Sequence, residues 1–100
     1  MKRFTTPHFI FTLPFETSLI KSLKVYFQQN DKLILEKETE HCEMEECDIK
    51  LRLTQEETAL FDSEKHAKVQ LHVLTVDGEA MTSAIYRTDV GECLGSEVIA

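Results

Sequence analysis

The chain has 100 residues, a hydrophobic fraction of 42%, and a formal net charge of −7. That length is one domain, and the apolar content supports a packed core, which argues against disorder. The acidic balance argues against nucleic acid and anionic membranes as partners, since both call for a basic surface.

Residues 1 to 5 read as a loose tail, and the whole chain as one domain from 1 to 100. Lys2 and Arg3 begin like a secretory leader. Thr5, Thr6, Pro7, His8, Thr12 and Pro14 then break the apolar stretch, and no small-residue cleavage site follows, so it is not read as a signal. Uninterrupted apolar runs reach only three residues, against about 20 for a membrane helix.

From Thr6 to Leu13, Phe9, Phe11 and Leu13 alternate with His8, Ile10 and Thr12, which predicts a first strand stopped by Pro14. Phe15 to Ser22 is a connection with a helical turn. Leu23, Val25 and Phe27 alternate with Lys24, Tyr26 and Gln28 as a second strand. Gln29-Asn30-Asp31-Lys32 is a turn by composition. A third strand runs from Leu33 to Lys37 or Thr39 and makes a hairpin with the second.

Glu40 to Glu46 reads as an acidic connection. In the fourth strand, Cys47, Ile49, Leu51 and Leu53 oppose Asp48, Lys50 and Arg52, the clearest alternation in the chain. Thr54-Gln55-Glu56-Glu57 is a capping-box sequence. It predicts one or two helical turns over Gln55 to Phe61, with Leu60 and Phe61 directed at the core. Asp62 to His66 leads into a long hairpin over Lys68 to Val90, turning at Asp77-Gly78. Val69, Leu71 and Val73 form the apolar face of its first arm, and Ala80 to Val90 the second arm. A two-residue turn pairs Leu71 with Ala84, and a bulged three-residue loop pairs it with Ile85. Residues 91 to 100 are a closing strand or a docking tail.

About seven short strands, one helical turn and recurrent turn signals predict an all-β fold: an immunoglobulin-like antiparallel β-sandwich, with a small barrel as runner-up.

No catalytic constellation is legible. His41, Cys42 and Cys47 have the spacing H-C-x4-C, and with Cys93 or His66 they are the weak metal candidates. The bland alternative is an exposed loop carrying one buried cysteine. Three cysteines are an odd number, which favours reduced thiols. The acidic run Glu36, Glu38, Glu40, Glu43, Glu45, Glu46 and Asp48 lacks the glycine of a calcium loop and reads as a solvated strand face and loop. Cys93 or Ser83 with His72 is a poor nucleophile–base pair, because no oxyanion loop accompanies it. No cofactor site is expected. Phe9 and Phe11 load the first strand, and Leu74, Val76 and Met81 load the polar face near the main hairpin tip. These five are the partner-contact candidates.

The run from Leu53 to Phe61, LTQEETALF, followed by Val69 to Val73, Asp77-Gly78, Thr82 to Ala84 and Leu94 to Ile99, resembles small proteins encoded in phages and prophages of Gram-positive gut bacteria. FTLPFETSLIK and LILEKE resemble their first half. More distantly the chain is similar to the immunoglobulin-like N-terminal domains of phage baseplate proteins. The resemblance carries over no active site. It implies a non-enzymatic structural or assembly protein of the tail, neck or baseplate, made in the bacterial cytoplasm and incorporated in a phage particle. Its expected partners are other virion or assembly proteins, or further copies of itself. The alternatives are an immunoglobulin-like module that recognises a glycan or a host protein, and a metal-dependent regulator using His41, Cys42 and Cys47.

Overall fold

A computed structural model describes residues 1–91, 93–95 and 98–99. The described residues form eight strands and one short α-helix. In chain order they are β1 (His8–Thr12), β2 (Ile20–Gln29), β3 (Lys32–Glu38), β4 (Cys42–Glu45), β5 (Asp48–Arg52), α1 (Gln55–Thr58), β6 (His66–Thr75), β7 (Ala80–Thr82) and β8 (Tyr86–Asp89). Two antiparallel sheets pack face to face. The smaller has the order β1-β5-β4, and the larger the order β3-β2-β6, with β7 and β8 paired one after the other to the far side of β6. This is the all-β sandwich expected from the alternation. An immunoglobulin constant domain sends its third strand to the opposite sheet; here β3 stays beside β2 and β4 makes the crossing.

Period-two alternation directs one side of each central strand inward. Leu23, Val25 and Phe27 of β2, Val69, Leu71 and Val73 of β6, and Ile49 and Leu51 of β5 are buried together with Leu53, Phe61 and Val90. Phe27 lies between two rings, with its centroid 5.5 Å from Phe9 and 6.0 Å from Phe61, both edge-on. It therefore links β1 in one layer to the segment after α1.

The β2–β3 turn is Asn30-Asp31, both in the left-handed region at φ 55° and 60°, the geometry a two-residue hairpin needs. The register slips after Phe27, so Leu35 faces Phe27 while Leu33 faces Gln28. That bulge turns Leu33 to the outer face, where it is exposed.

Glu40 to Glu46 is more than a connection. A 3-10 turn over Thr39–His41 is followed by β4, which pairs with β5 through Cys42↔Leu51 and Met44↔Ile49. Cys42 and Met44 share the inward side with Leu51 and Ile49, and the intervening glutamates look outward. Cys47, expected in the fourth strand, instead sits beyond Glu46 (φ 51°) in the β4–β5 turn, and β5 begins at Asp48.

The capping box at α1 is formed. Thr54 Oγ1 accepts from the Glu57 N–H at 3.2 Å, and Glu57 Oε1 accepts from the Thr54 N–H at 2.9 Å. The other Glu57 oxygen pairs with Lys37 of β3, both side chains largely buried. Thr54→Ala is expected to cost about 1 kcal/mol, measured by urea denaturation. Phe61 is buried as expected, but Leu60 is 57% exposed, because a single helical turn can point only one of two adjacent side chains inward.

Burial pushes the Glu57 pKa up, yet the hydrogen bonds from Lys37 and Thr54 outweigh it and hold the carboxyl below its ordinary 4.5. The resulting stability is fully present above that ordinary value and is lost as pH falls through the lower folded value. Lys37→Met is expected to remove this acid-labile increment, seen as a smaller loss of stability between about pH 6 and about pH 3 in paired urea titrations.

Residues 1 to 5 are docked, not loose. The Met1 amino group donates to Asp89 O (2.7 Å), the Gly91 N–H donates to Met1 O (2.7 Å), and Lys2 forms a parallel bridge with Gly91. Thr5 and Thr58 exchange hydrogen bonds of 3.1 and 2.9 Å through the Thr58 hydroxyl, which is fully buried and demands partners. Beyond Gly91 no strand closes the fold among the described residues. Ile99 instead exchanges two hydrogen bonds with the Gln55 side chain. Ser96 and Glu97, inside the expected Leu94–Ile99 motif, lie outside the described residues.

The main hairpin turns through three residues, Val76-Asp77-Gly78. The Thr75 N–H donates to Glu79 O at 2.8 Å, and Gly78 takes φ 89°. Leu71 consequently faces Ser83, in neither of the registers expected. The Ser83 N–H donates to Leu71 O, while the Leu71 N–H donates to Ser83 Oγ instead of to a backbone carbonyl. The side chain displaces one rung of the ladder. Ser83 to Ile85 then stand opposite only Gln70 and Leu71, which divides the second arm into β7 and β8.

Candidate docking groove

The two sheets differ in width. The smaller is three strands across, and the larger is four, since β7 and β8 occupy successive stretches of the same edge. A groove of about 460 Å³ opens where the larger sheet extends past β1. One wall is β1, from Phe9 to Leu13. The floor is Val69 and Leu71 of β6, and the far wall is Ser83 with β8 from Tyr86 to Thr88. Phe9, Phe11 and Leu13 are half-buried against the core, whereas Tyr86 remains exposed.

Among the described residues the backbone of β1 is bonded on one side only. The Leu53 N–H donates to Pro7 O (3.1 Å) and the Leu13 N–H to Cys47 O (2.8 Å). In an antiparallel pair the bonded positions alternate, so residues 7, 9, 11 and 13 bond toward β5. The N–H and C=O groups of His8, Ile10 and Thr12 face the open side. The equivalent edge of β8 is covered at Asp89 and Gly91 by Met1 and Lys2.

The five partner-contact candidates divide. Phe9 and Phe11 line this groove. Leu74 lies on the outer face of the larger sheet, beside Tyr26 and His72, whereas Met81, paired with the buried Val73, falls on the inner face and not on the polar face expected. Val76, 61% exposed, projects from the hairpin tip. Alternation alone marks Val69 and Leu71 as core and Tyr86 as a strand aromatic. What joins them to Phe9 is the unequal width of the sheets, which no local pattern encodes.

The metal candidates do not converge. Among the described residues no three His, Cys, Asp or Glu side chains are grouped to hold an ion. His41 Nδ1 accepts from the Glu38 N–H at 3.0 Å, closing its own 3-10 turn. Cys42 packs on the core edge, where burial raises its thiol pKa and nearby Lys37 opposes this in part. Such a thiol is a weak nucleophile and a poor ligand. Cys47 is in the β4–β5 turn, and His66 pairs with Asp89 at 2.6 Å. All three cysteines are free.

Ser83 and His72 fall on opposite faces. Ser83 lines the groove, with its hydroxyl engaged by the Leu71 N–H and Ala84 O. His72 lies on the outer face, with Nε2 3.1 Å from Gln70 Oε1 and its ring edge-on to Tyr26 at 4.7 Å. The acidic run forms solvated pairs: Glu36 with Lys24 (2.9 Å), Glu45 with Lys50 (3.4 Å), and Asp48 accepting from Thr12 (2.8 Å).

Fold and site together define a two-sheet β-sandwich with an apolar groove beside a strand edge that pairs with no other strand among the described residues. Among the described residues no helix is long and apolar enough to cross a membrane. Compared with protein-family models, curated proteins and solved structures, the chain gives no significant match.

Proposed function

We propose that this chain is a non-enzymatic assembly module of a phage or prophage particle, working through protein–protein contacts. The observation that carries the assembly reading is the groove beside β1, where apolar side chains and unpaired backbone groups lie together. A surface of that kind is complementary to another polypeptide. The phage context is supported by the sequence resemblance alone. Mass spectrometry of particles purified after prophage induction tests it. The protein is expected among the particle components. Its absence, together with failure to bind any particle protein, would sink the proposal.

A second reading, recognition of a glycan or host protein, is favoured by the outer face of the larger sheet. There Tyr26, His72 and Gln70 place an aromatic ring beside hydrogen-bonding groups, the pairing a sugar ring requires. Binding on a glycan array that is lost in Tyr26→Ala would support this reading; an array without signal would remove its glycan branch.

A further inference from the structure

We propose that the outer face of the larger sheet binds a carboxylated sugar, with its carboxylate between Lys68 and Arg87 and its ring beside Tyr26. The proposal rests on the glycan reading above and names the class of ligand.

The alternation that buries Val25, Phe27, Val69 and Leu71 turns Tyr26 and Gln28 of β2, with Lys68, Gln70 and His72 of β6, to the opposite face. Two depressions of about 300 and 330 Å³ lie there, and both include Tyr26 and His72. They form one trough, at the lower end of the volumes of small-ligand sites, about 300–1,000 Å³. The chain carries 18 acidic side chains, yet among the described residues no carboxylate lines this trough.

The charges around it are uneven. Glu36, opposite Tyr26 on β3, is paired with Lys24 at 2.9 Å. The Glu38 side chain accepts within the 3-10 turn that follows it, and Asp89 is paired with His66. Lys68 and Arg87, by contrast, make no ion pair among the described residues. They stand directly opposite each other in the β6–β8 register, which places them on the same face. Like charges so placed, about 4.5–5.5 Å apart at Cβ, destabilise a sheet. One carboxylate accepting from both cations turns that repulsion into two charge-assisted hydrogen bonds.

The middle of a sheet favours a sugar over a peptide. The backbone groups of β2 and β6 are used in ladders with strands on both sides. A peptide laid across them finds no main-chain partner for its own N–H and C=O groups. Sugar hydroxyls are met by side chains instead. The Tyr26 hydroxyl and the Gln28 amide, on half-buried side chains, supply donors and acceptors. Gln70 is oriented by its Nε2 donating to Ser83 O at 3.0 Å, which turns its Oε1 to His72 Nε2 at 3.1 Å. Since Oε1 only accepts, Nε2 carries the proton, and in the neutral ring Nδ1 is left to accept from a hydroxyl. Leu33 and Ile85, each more than half exposed, provide apolar contact for the ring's C–H face. Tyr26 and Lys68 are diagonal neighbours on adjacent strands, about 7–8 Å apart, a gap that one ring and its carboxylate bridge.

The test uses the full chain and two tetrasaccharides, one alternating glucuronate with N-acetylglucosamine and one of N-acetylglucosamine alone, in amide NMR titrations. The acidic sugar is expected to shift the signals of Tyr26, Lys68, Gln70 and Arg87, and to bind at least about tenfold more tightly than the neutral one. Arg87→Gln and Lys68→Gln are each expected to reduce its affinity to that of the neutral sugar without lowering the urea midpoint, because each removes half of a repulsive pair. Tyr26→Ala is expected to abolish binding of both sugars. Equal affinity for the two sugars would overturn the carboxylate assignment and leave the glycan reading standing. No shift from either at about 10 mM would overturn both. A Glu-rich heptapeptide bound at the same residues as tightly as the acidic sugar would also overturn the proposal, assigning the face to a protein partner. A fall in the urea midpoint in both cation variants would do the same, by showing that Lys68 and Arg87 serve the fold.

Discussion

Phe27→Ala is expected to destabilise the protein by about 3–5 kcal/mol. A domain of this length has only about 5–15 kcal/mol in total, so the variant will lie close to the unfolding threshold. The loss is large because Phe27 is fully buried and its ring meets Phe9 of β1 and Phe61 after α1. Truncation removes the apolar area and leaves a cavity that three separate elements would have to close. Urea denaturation gives the measurement directly. Leu33→Ala, on the exposed outer face, is the control and is expected to stay within about 0.5 kcal/mol of the parent. A loss below about 1 kcal/mol for Phe27→Ala would mean that the two layers do not meet at this ring.

Gln29→Leu is expected to cost about 2–3 kcal/mol although it adds apolar surface to the interior. The Gln29 side chain, 2% exposed, is the internal tie for the loop between α1 and β6. Its Oε1 accepts from the Asp62 N–H at 2.6 Å, and its Nε2 donates to Asp62 O at 2.8 Å and Lys65 O at 3.3 Å. Leucine fills a similar volume but leaves the Asp62 N–H and C=O without the Gln29 partner, while Lys65 O keeps the Val90 N–H, and unmade buried hydrogen bonds cost more than made ones contribute. Hydrogen exchange separates this from a general loss of packing. The Asp62 amide is expected to exchange faster in the variant, while the Val25 and Leu71 amides slow and quicken only with global stability.

The elements most legible in the sequence are those in which a single local rule decides the outcome. Strict alternation sets the inward residues of β2, β5 and β6, Asn30-Asp31 marks a two-residue turn, and Thr54 with Glu57 marks the start of α1. Three features escape because two rules compete for the same residues. In CEME the density of glutamate suggests a loop, yet Cys42 and Met44 alternate into the sheet. In the main hairpin Asp77-Gly78 suggests a two-residue turn, but Thr75 closes a three-residue loop and Ser83 substitutes its hydroxyl for a backbone rung. At the N-terminus, polar residues suggest a tail, whereas the Thr58 hydroxyl and the carbonyls of Asp89 and Ala59 hold it in place.

For the candidate site, Phe9 and Phe11 are visible as bulky groups on a strand with apolar residues on both faces. Ile10, 60% exposed, is part of that signal, and its meaning becomes clear with the open edge. Val69, Leu71, Tyr86 and Arg87 cannot be assigned to the groove from spacing, because they come from the other sheet. Leu74 and Val76 share a strand hairpin with the groove floor but face away from it, whereas Met81, paired with Val73, shares its face. A slip of one position between the strand faces is enough to separate them.

The most direct measurement is site-specific crosslinking in purified particles, with a photoreactive amino acid placed at Ile10 on β1 and, as control, at Glu43 on the opposite edge of the same sheet. The expected result is a crosslink from position 10 to another particle protein, and none from position 43. Equal crosslinking from both positions, or none from position 10, would contradict docking at the open edge.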